Sequence, residues 1–405
     1  MLKNPFVIYI LAFGGVLALY QLGWSQLYPS LSLGVLIFFG LTFLVTAALG
    51  TAVLHDVKCI RDYQPGQIPT YIVLLLVCVY TADFAYAHEL PLASLMAGTY
   101  KYGSFPGIPT VHVFAVTFSG AFATIRFADF LYERGGRRWR YLFETLIPLT
   151  YFALLNYRGS FVLALMSWGF IYIIRRGRLG PVRFLSVVTL AMLSLFLFGA
   201  FGDVRTGGIE KLGKPTRSFA ESGVPRTYFW GYIYFTSPLA NFQYTVDTAD
   251  PEFKLKDSLE FVAAELLPDF ISNRILPLLG AERRATPEVG PGLNVATIYA
   301  RSYLYFGWIG VFAMFYWFIA CILLYLRIIL KSAYGVPSLA LLNTLIFFCT
   351  FDNMIAQTLL GLQLIWPLLL PLLSRRLSSQ AWKDRTSVSI RTDLHPGYFP
   401  SQKPV

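Results

Sequence analysis

Charge is what this sequence has least of. Only 14% of its 405 residues are Asp, Glu, Lys or Arg, where a soluble globular chain carries about 25%. That shortage excludes an ordinary water-facing surface and points to a bilayer as solvent. Cysteine is nearly absent as well. Cys78, Cys321 and Cys349 fall in apolar stretches and Cys59 in a short basic one, with no CxxC and no Cys/His cluster, so a disulfide framework and a structural zinc site are not expected. The only glycine pair in a basic turn, Arg134-Gly135-Gly136-Arg137, lacks the Lys-Ser/Thr ending of a phosphate loop, which excludes an ATPase of that kind. No internal repeat is visible. A cleavable leader is not expected either: the chain turns apolar at Pro5 after the single Lys3, without a convincing small-residue cleavage site, and reads as a first retained helix.

What is present is hydrophobic: 56% of residues, with 17% aromatic and a mean hydropathy of +0.57. Apolar runs of about 17–25 residues, long enough to cross a hydrocarbon core, lie near 5–24, 31–54, 68–87, 109–131, 141–157, 159–175, 183–202, 295–326, 336–351 and 355–374. Asn156-Tyr157-Arg158-Gly159 separates the fifth run from the sixth, and Phe351-Asp352-Asn353 separates the last two; both read as hairpin tips. The pattern predicts an all-α polytopic membrane protein of about ten spans, with spans one to seven in 1–202 and eight to ten in 295–376.

The net charge of +11 does not call for nucleic acid, because the basic residues cluster beside apolar runs. Lys58 and Arg61, then Arg134, Arg137, Arg138 and Arg140, then Arg175, Arg176, Arg178 and Arg183, then Arg327 and Lys331, and finally Arg375 and Arg376 occupy alternate connections. The others hold little beyond Lys101 and Arg158. The positive-inside rule therefore puts both termini in the cytoplasm. Residues 377–405 form a polar tail, expected to be disordered.

One connection differs. Residues 203–294 are expected outside, carry charge of both signs, and include Tyr228-Phe229-Trp230-Gly231-Tyr232-Ile233-Tyr234-Phe235, too apolar for a linker. Short amphipathic helices on the membrane surface are expected there, in a loop long enough to be functional.

Arginine carries most of the chemical information. Arg158 stands on a tight outer bend; the long loop supplies Arg205, Arg217, Arg226, Arg274, Arg283 and Arg284, and Arg301 opens the next helix. Guanidinium groups bind phosphate bidentately and stay charged, which suits a diphosphate at a membrane surface. Lipid headgroups or neighbouring carboxylates are the alternative partners. Among the loop acids, Glu265 and Asp269 stand at i,i+4, one face of a helix; either can serve as a base for a hydroxyl, or both can line a solvated face. Asp250-Pro251-Glu252 reads as a turn. Of His55, His88, His112 and His395, no two share metal-ligand spacing, and His88 beside Glu89 is the one placed near an outer site. No metal and no cofactor are expected. Arg126 and Asp129, at i,i+3, are positioned to neutralise each other, and Asp83 and Glu144 lie near span ends where snorkelling is tolerable. The shortage of mid-membrane acids speaks against an ion-coupled transporter.

The many spans, the large late outer loop and the small arginine-bearing loop before it resemble the Wzy-type O-antigen polymerases, the oligosaccharide repeat-unit polymerases. Two local patterns carry the resemblance. Arg158 is followed, after ten residues, by Gly169, and Tyr303-Leu304-Tyr305-Phe306-Gly307-Trp308-Ile309-Gly310 is similar to the aromatic-Phe-Gly-x-x-Gly helix that follows the large loop in that family. Where the family commonly has an acid six positions before the first glycine, this chain has Arg301. The resemblance implies a GT-C-like, metal-independent glycosyltransferase of the bacterial inner membrane. It would take an undecaprenyl-diphosphate-linked glycan donor and a lipid-linked acceptor, with a flippase and a chain-length regulator as potential partners. It also implies Arg158, Arg205, Arg226 and Arg274 on the diphosphate, with Arg301 at the site, and Glu265 or Asp269 as base. Tyr228, Trp230, Tyr232 and Tyr234 would stack on sugar rings or form an interfacial belt. The rivals are an O-antigen ligase, expected to use a histidine in the large loop, and a flippase or other transporter, expected to show repeated halves.

Overall fold

A computed structural model describes residues 2–60, 63–66, 68–99, 105–177, 180–206, 209–252, 254–255 and 257–371, and the side chains of all of these except 184, 197, 198, 201, 204–206, 210 and 211. The expected tail 377–405, His395, Arg61, Lys101, Arg178, Arg375 and Arg376 lie outside the described residues, as does the side chain of Arg205.

Every element among the described residues is helical, apart from an isolated antiparallel bridge between Ser25 and Pro215. The main helices are α1 (Pro5–Tyr20), α2 (Leu33–Ala52), α3 (Tyr71–Ala87), α4 (Val111–Tyr132), α5 (Arg138–Leu154), α6 (Arg158–Arg176), α7 (Pro181–Thr206), α8 (Tyr228–Thr248), α9 (Asp269–Leu278), α10 (Ala300–Ile329) and α11 (Gly335–Phe348). Three of them, α2, α4 and α10, are long and apolar enough to cross a membrane. Among the described residues each of the ten apolar runs contains a helical segment, the last of them short turns between Thr358 and Pro371.

Local chemistry sets several starts. Asn4 accepts a hydrogen bond from the Phe6 amide at 3.0 Å with Pro5 as first helical residue, and Ser32 caps α2 through the Val35 amide. Both satisfy amides that a helix start leaves open. Packing is largely aromatic: Tyr9, Phe13, Phe38, Phe39, Tyr299 and Phe315 are buried together, and the hydroxyls of Tyr9 and Tyr299 meet at 2.8 Å. In lipid, where apolar surface gains little by leaving the solvent, such shape fitting and interhelical hydrogen bonds hold helices together. Ser167 of α6 and Thr344 of α11, at 2.9 Å, are an example.

α4 is buried along most of its length and packs against α5, α6 and α11. Its two ends orient the bundle. At the C-terminal end, Arg126 contacts Asp129 and Glu144 at 2.8 Å each, Tyr63 donates to Asp129 at 2.8 Å, and Arg140 donates to Glu144 at 2.8 Å. Arg126 and Asp129 do pair as their spacing suggests. Glu144 and Asp83, however, do not snorkel: both are buried and held by hydrogen bonds inside the bundle. At the N-terminal end of α4, His112 meets Tyr157 beside the start of α6. Tyr334, the cap of α11, lies within electrostatic reach of Asp129 and Arg126, so α11 runs opposite to α6. The tip after α11 and the Arg158 bend therefore share one end, opposite the basic Arg134–Arg140 turn.

The long loop departs from expectation. Tyr228–Thr248 is not a surface helix but the largely buried α8, packed against α1, α7 and α10. Its polar residues lower its hydropathy, yet they are used inside. Asn241 donates to the carbonyls of Leu293 and Val295 and accepts from the Val289 amide, and Gln243 accepts from the Ser32 amide at 2.8 Å.

Candidate functional site

Two glycines shape the site from below. α10 breaks at Phe306 and Gly307, where Gly307 takes φ +56° and ψ −136°, a conformation closed to residues with a Cβ. At Gly310 a Cβ would stand 2.2 Å from the Ser302 carbonyl oxygen, so no side chain fits. The aromatic-Phe-Gly-x-x-Gly pattern thus has a structural job: it sets off residues 300–305, which carry Arg301 and Tyr305, from the long apolar part of α10.

Tyr305 packs with Phe261, Ala263, Ala264 and Leu276, joining residues 300–305 to a short π-helix, Val262–Leu266. Such bulges leave carbonyls without helical partners and recur at functional sites. Here the Glu265 carbonyl accepts from the Asn353 side chain at 2.7 Å. The tip after α11 is further clamped to the start of α9: the Asp269 amide donates to the Ala356 carbonyl at 2.8 Å and the Phe270 amide to the Thr358 hydroxyl at 2.9 Å.

These elements bring Glu265, Asp269, Arg283, Arg301, Asp352 and Gln357 together. Arg301 pairs closely with Asp352, and its Nε stands 3.9 Å from Oε2 of Glu265. Arg283 pairs with Asp269 at 2.8 Å. Gln357 donates to the second oxygen of Asp352 at 3.2 Å. Glu265 is 1% exposed and its Oε1 has no hydrogen-bond partner. Burial pushes its carboxyl up to about 7, against the opposing pull of Arg301 and Arg283, with Asp352 and Asp269 adding to the rise. Beside it lies a cavity of about 10 Å³, about what a single water needs.

The structure thus gathers Glu265, Asp269 and Arg301 from the expected site residues. Arg158 shares that end of the bundle but begins α6, exposed, with its Nε 3.4 Å from the Asn156 side chain. Arg274 is exposed and donates to the Phe270 carbonyl; Arg226 is exposed in the turn before α8. Arg284 is occupied structurally, donating to Asp257 and to the Leu304 carbonyl. The aromatic expectation needs correction. Trp230 is buried and donates to Asp203 at 2.8 Å, and buried Tyr232 accepts from the Trp24 amide at 3.1 Å. Packed between helices, neither ring offers a face to a sugar. Tyr228 is half-buried with its ring near Phe196.

Arg283 had no special sequence signal among the loop arginines, and Asp352, Asn353 and Gln357 were legible only as a polar tip between apolar runs. A second polar group was also missed. Asp83 accepts from the Ile108 amide at 2.7 Å and Tyr151 at 2.6 Å, and contacts His112 Nδ1 at 2.6 Å, whose Nε2 stands 3.1 Å from the Tyr157 hydroxyl. His112 is thus held against Tyr157, the residue before Arg158. Among the described residues, no three His, Cys, Asp or Glu side chains are grouped to hold a metal ion. No protein-family model, no curated protein and no solved structure matches the chain.

Proposed function

We propose that this chain is a membrane glycosyltransferase that polymerises oligosaccharide repeat units carried on undecaprenyl diphosphate. In this proposal it has about ten spans of GT-C-like arrangement in a bacterial inner membrane, with both termini cytoplasmic and the site outside. The observation that carries the reading is Glu265, a buried carboxyl poised near neutrality among arginines at the end of the bundle that also bears Arg158. A general base works best with a pKa near the operating pH. Glu265 takes the proton of an acceptor hydroxyl, whose oxygen bonds to the anomeric carbon of the donor glycan. The bond from that carbon to the diphosphate breaks, and arginine takes up the charge gained by the leaving group, a kind of contact worth about 2.7–4 kcal/mol in transition states. Arg158, with no carboxylate in ion-pair range among the described residues, has its full charge to offer. The cavity admits a water and no sugar, so its lining rearranges when the acceptor hydroxyl reaches Glu265.

A second reading, a proton-coupled transporter of lipid-linked glycans, is favoured by one observation: the buried Asp83–His112 pair, since ionisable groups inside a bundle often mark proton paths. A deletion strain separates the readings. Core carrying a single repeat unit, without a ladder on a gel, supports the polymerase. Loss of every repeat supports the transporter. Long polymer stranded on carrier lipid supports a ligase, and an unchanged ladder removes all three.

A further inference from the structure

Between α3 and α5 lies a groove of about 280 Å³, walled by Val77, Phe84, Ile147 and Leu154. Its floor is the stacked pair Tyr80 and Tyr151, with ring centroids 3.8 Å apart and planes 7° from parallel. A buried acid stands behind the floor, because Tyr151 donates to Asp83 at 2.6 Å.

The same hydrogen-bonded chain reaches the rim. Asp83 contacts His112, and His112 contacts Tyr157, the residue before Arg158. The bend is closed by the Tyr157 amide on the Phe152 carbonyl at 2.9 Å and by Asn156 at φ +57°. Leu154 of the groove wall is four positions from Arg158, at most about 14 Å of extended chain, so the bend that carries this exposed arginine lies close to that end of the wall. Its described side-chain partner is the neutral Asn156. A ligand matching this place is apolar at one end and strongly anionic at the other.

We propose that this groove binds the first isoprene units of a polyprenyl diphosphate, with the diphosphate on Arg158 and with Asp83 and His112 as positioning residues that fix floor and bend together. A diphosphate concentrates more charge and more acceptor oxygens than a phospholipid diester and so gains more from one guanidinium fork. The two rings are buried against each other, so the surface open to a lipid tail is the groove's apolar wall, led by the exposed Val77. The groove is separate from the Glu265 cluster, as two lipid-linked substrates require. The lipid class rests on the polymerase reading; the location does not.

The test uses the full chain in nanodiscs of phosphatidylethanolamine and phosphatidylglycerol, and a polyprenyl diphosphate bearing a diazirine in its first isoprene unit. Irradiation and peptide mapping are expected to place the label on residues 77–84 and 147–154. Unlabelled polyprenyl diphosphate should suppress it and added phosphatidylglycerol should not. Arg158→Ala should cut labelling roughly tenfold, the loss of one charged hydrogen-bonding partner. Thr150→Trp, or Val77→Trp from the other wall should the first not fold, should block it by filling the groove. Labelling elsewhere, equal displacement by phosphatidylglycerol, or undiminished labelling in Arg158→Ala overturns the proposal. The readout needs no turnover. A protein that labels as expected but does not polymerise keeps the lipid site and loses the polymerase reading; one that polymerises but labels elsewhere does the reverse.

Discussion

Arg301 faces Glu265 across 3.9 Å but gives its closest contact to Asp352. That division decides the behaviour of the site. A guanidinium locked to Glu265 would keep the carboxyl ionised far below neutrality. With Asp352 taking the tighter contact, burial prevails and Glu265 titrates near 7.

Replacing Glu265 by Gln keeps the shape and removes the base. Polymerisation by the purified protein should fall by about 10²–10⁴-fold, with the variant inserted and monodisperse. Full activity in Glu265→Gln would assign the base elsewhere.

The pH dependence follows from the direction of the shift. Glu265 must be deprotonated to accept a proton, so the rate should climb as pH rises through about 7 and level off above. Stability should move the other way. Between the ordinary 4.5 and about 7 the folded carboxyl holds a proton that the unfolded one has released, so this group's stabilisation is present at low pH and is lost as pH rises through about 7. Melting curves of wild type and Glu265→Gln across that range check the sign.

Asp352→Asn should shift the activity profile toward acid. Asp352 helps to raise the Glu265 carboxyl and competes for Arg301; without its charge, Arg301 acts on Glu265 alone. A rate–pH profile that keeps its midpoint would show that the two carboxylates are not coupled.

Gly307→Ala forces a Cβ into a left-handed backbone position, 3.3 Å from Pro251, at a cost of about 1–3 kcal/mol. Gly310→Ala meets the Ser302 carbonyl and should be worse. Thermal unfolding in detergent measures both. Activity should fall with stability, because residues 300–305 carry Arg301.

At the other end of the bundle, Arg126→Ala leaves Asp129 and Glu144 buried without their shared cation. Breaking such a network typically costs about 3–5 kcal/mol. The loss should appear as a lower melting temperature or reduced insertion.

The apolar runs made most helices legible, since a span of sufficient length leaves a long hydrophobic signature. α8 was not, because Asn241, Gln243 and Thr245 dilute its hydropathy while finding partners inside. Trp230 and Tyr232 misled for a related reason: an aromatic residue suits an interface and a core equally well. At the site, the Glu265–Asp269 spacing was visible, but not the feature that joins them, a π-helix and a turn instead of one helical face. Asp352 and His112 reach their partners only through tertiary contacts, to which local spacing is blind.

The most direct measurement is the surface polysaccharide of a deletion strain complemented with wild type or with Glu265→Gln at equal membrane levels. Wild type should restore the ladder, and Glu265→Gln should leave core bearing a single repeat unit. A normal ladder with Glu265→Gln would contradict the central role of this carboxyl.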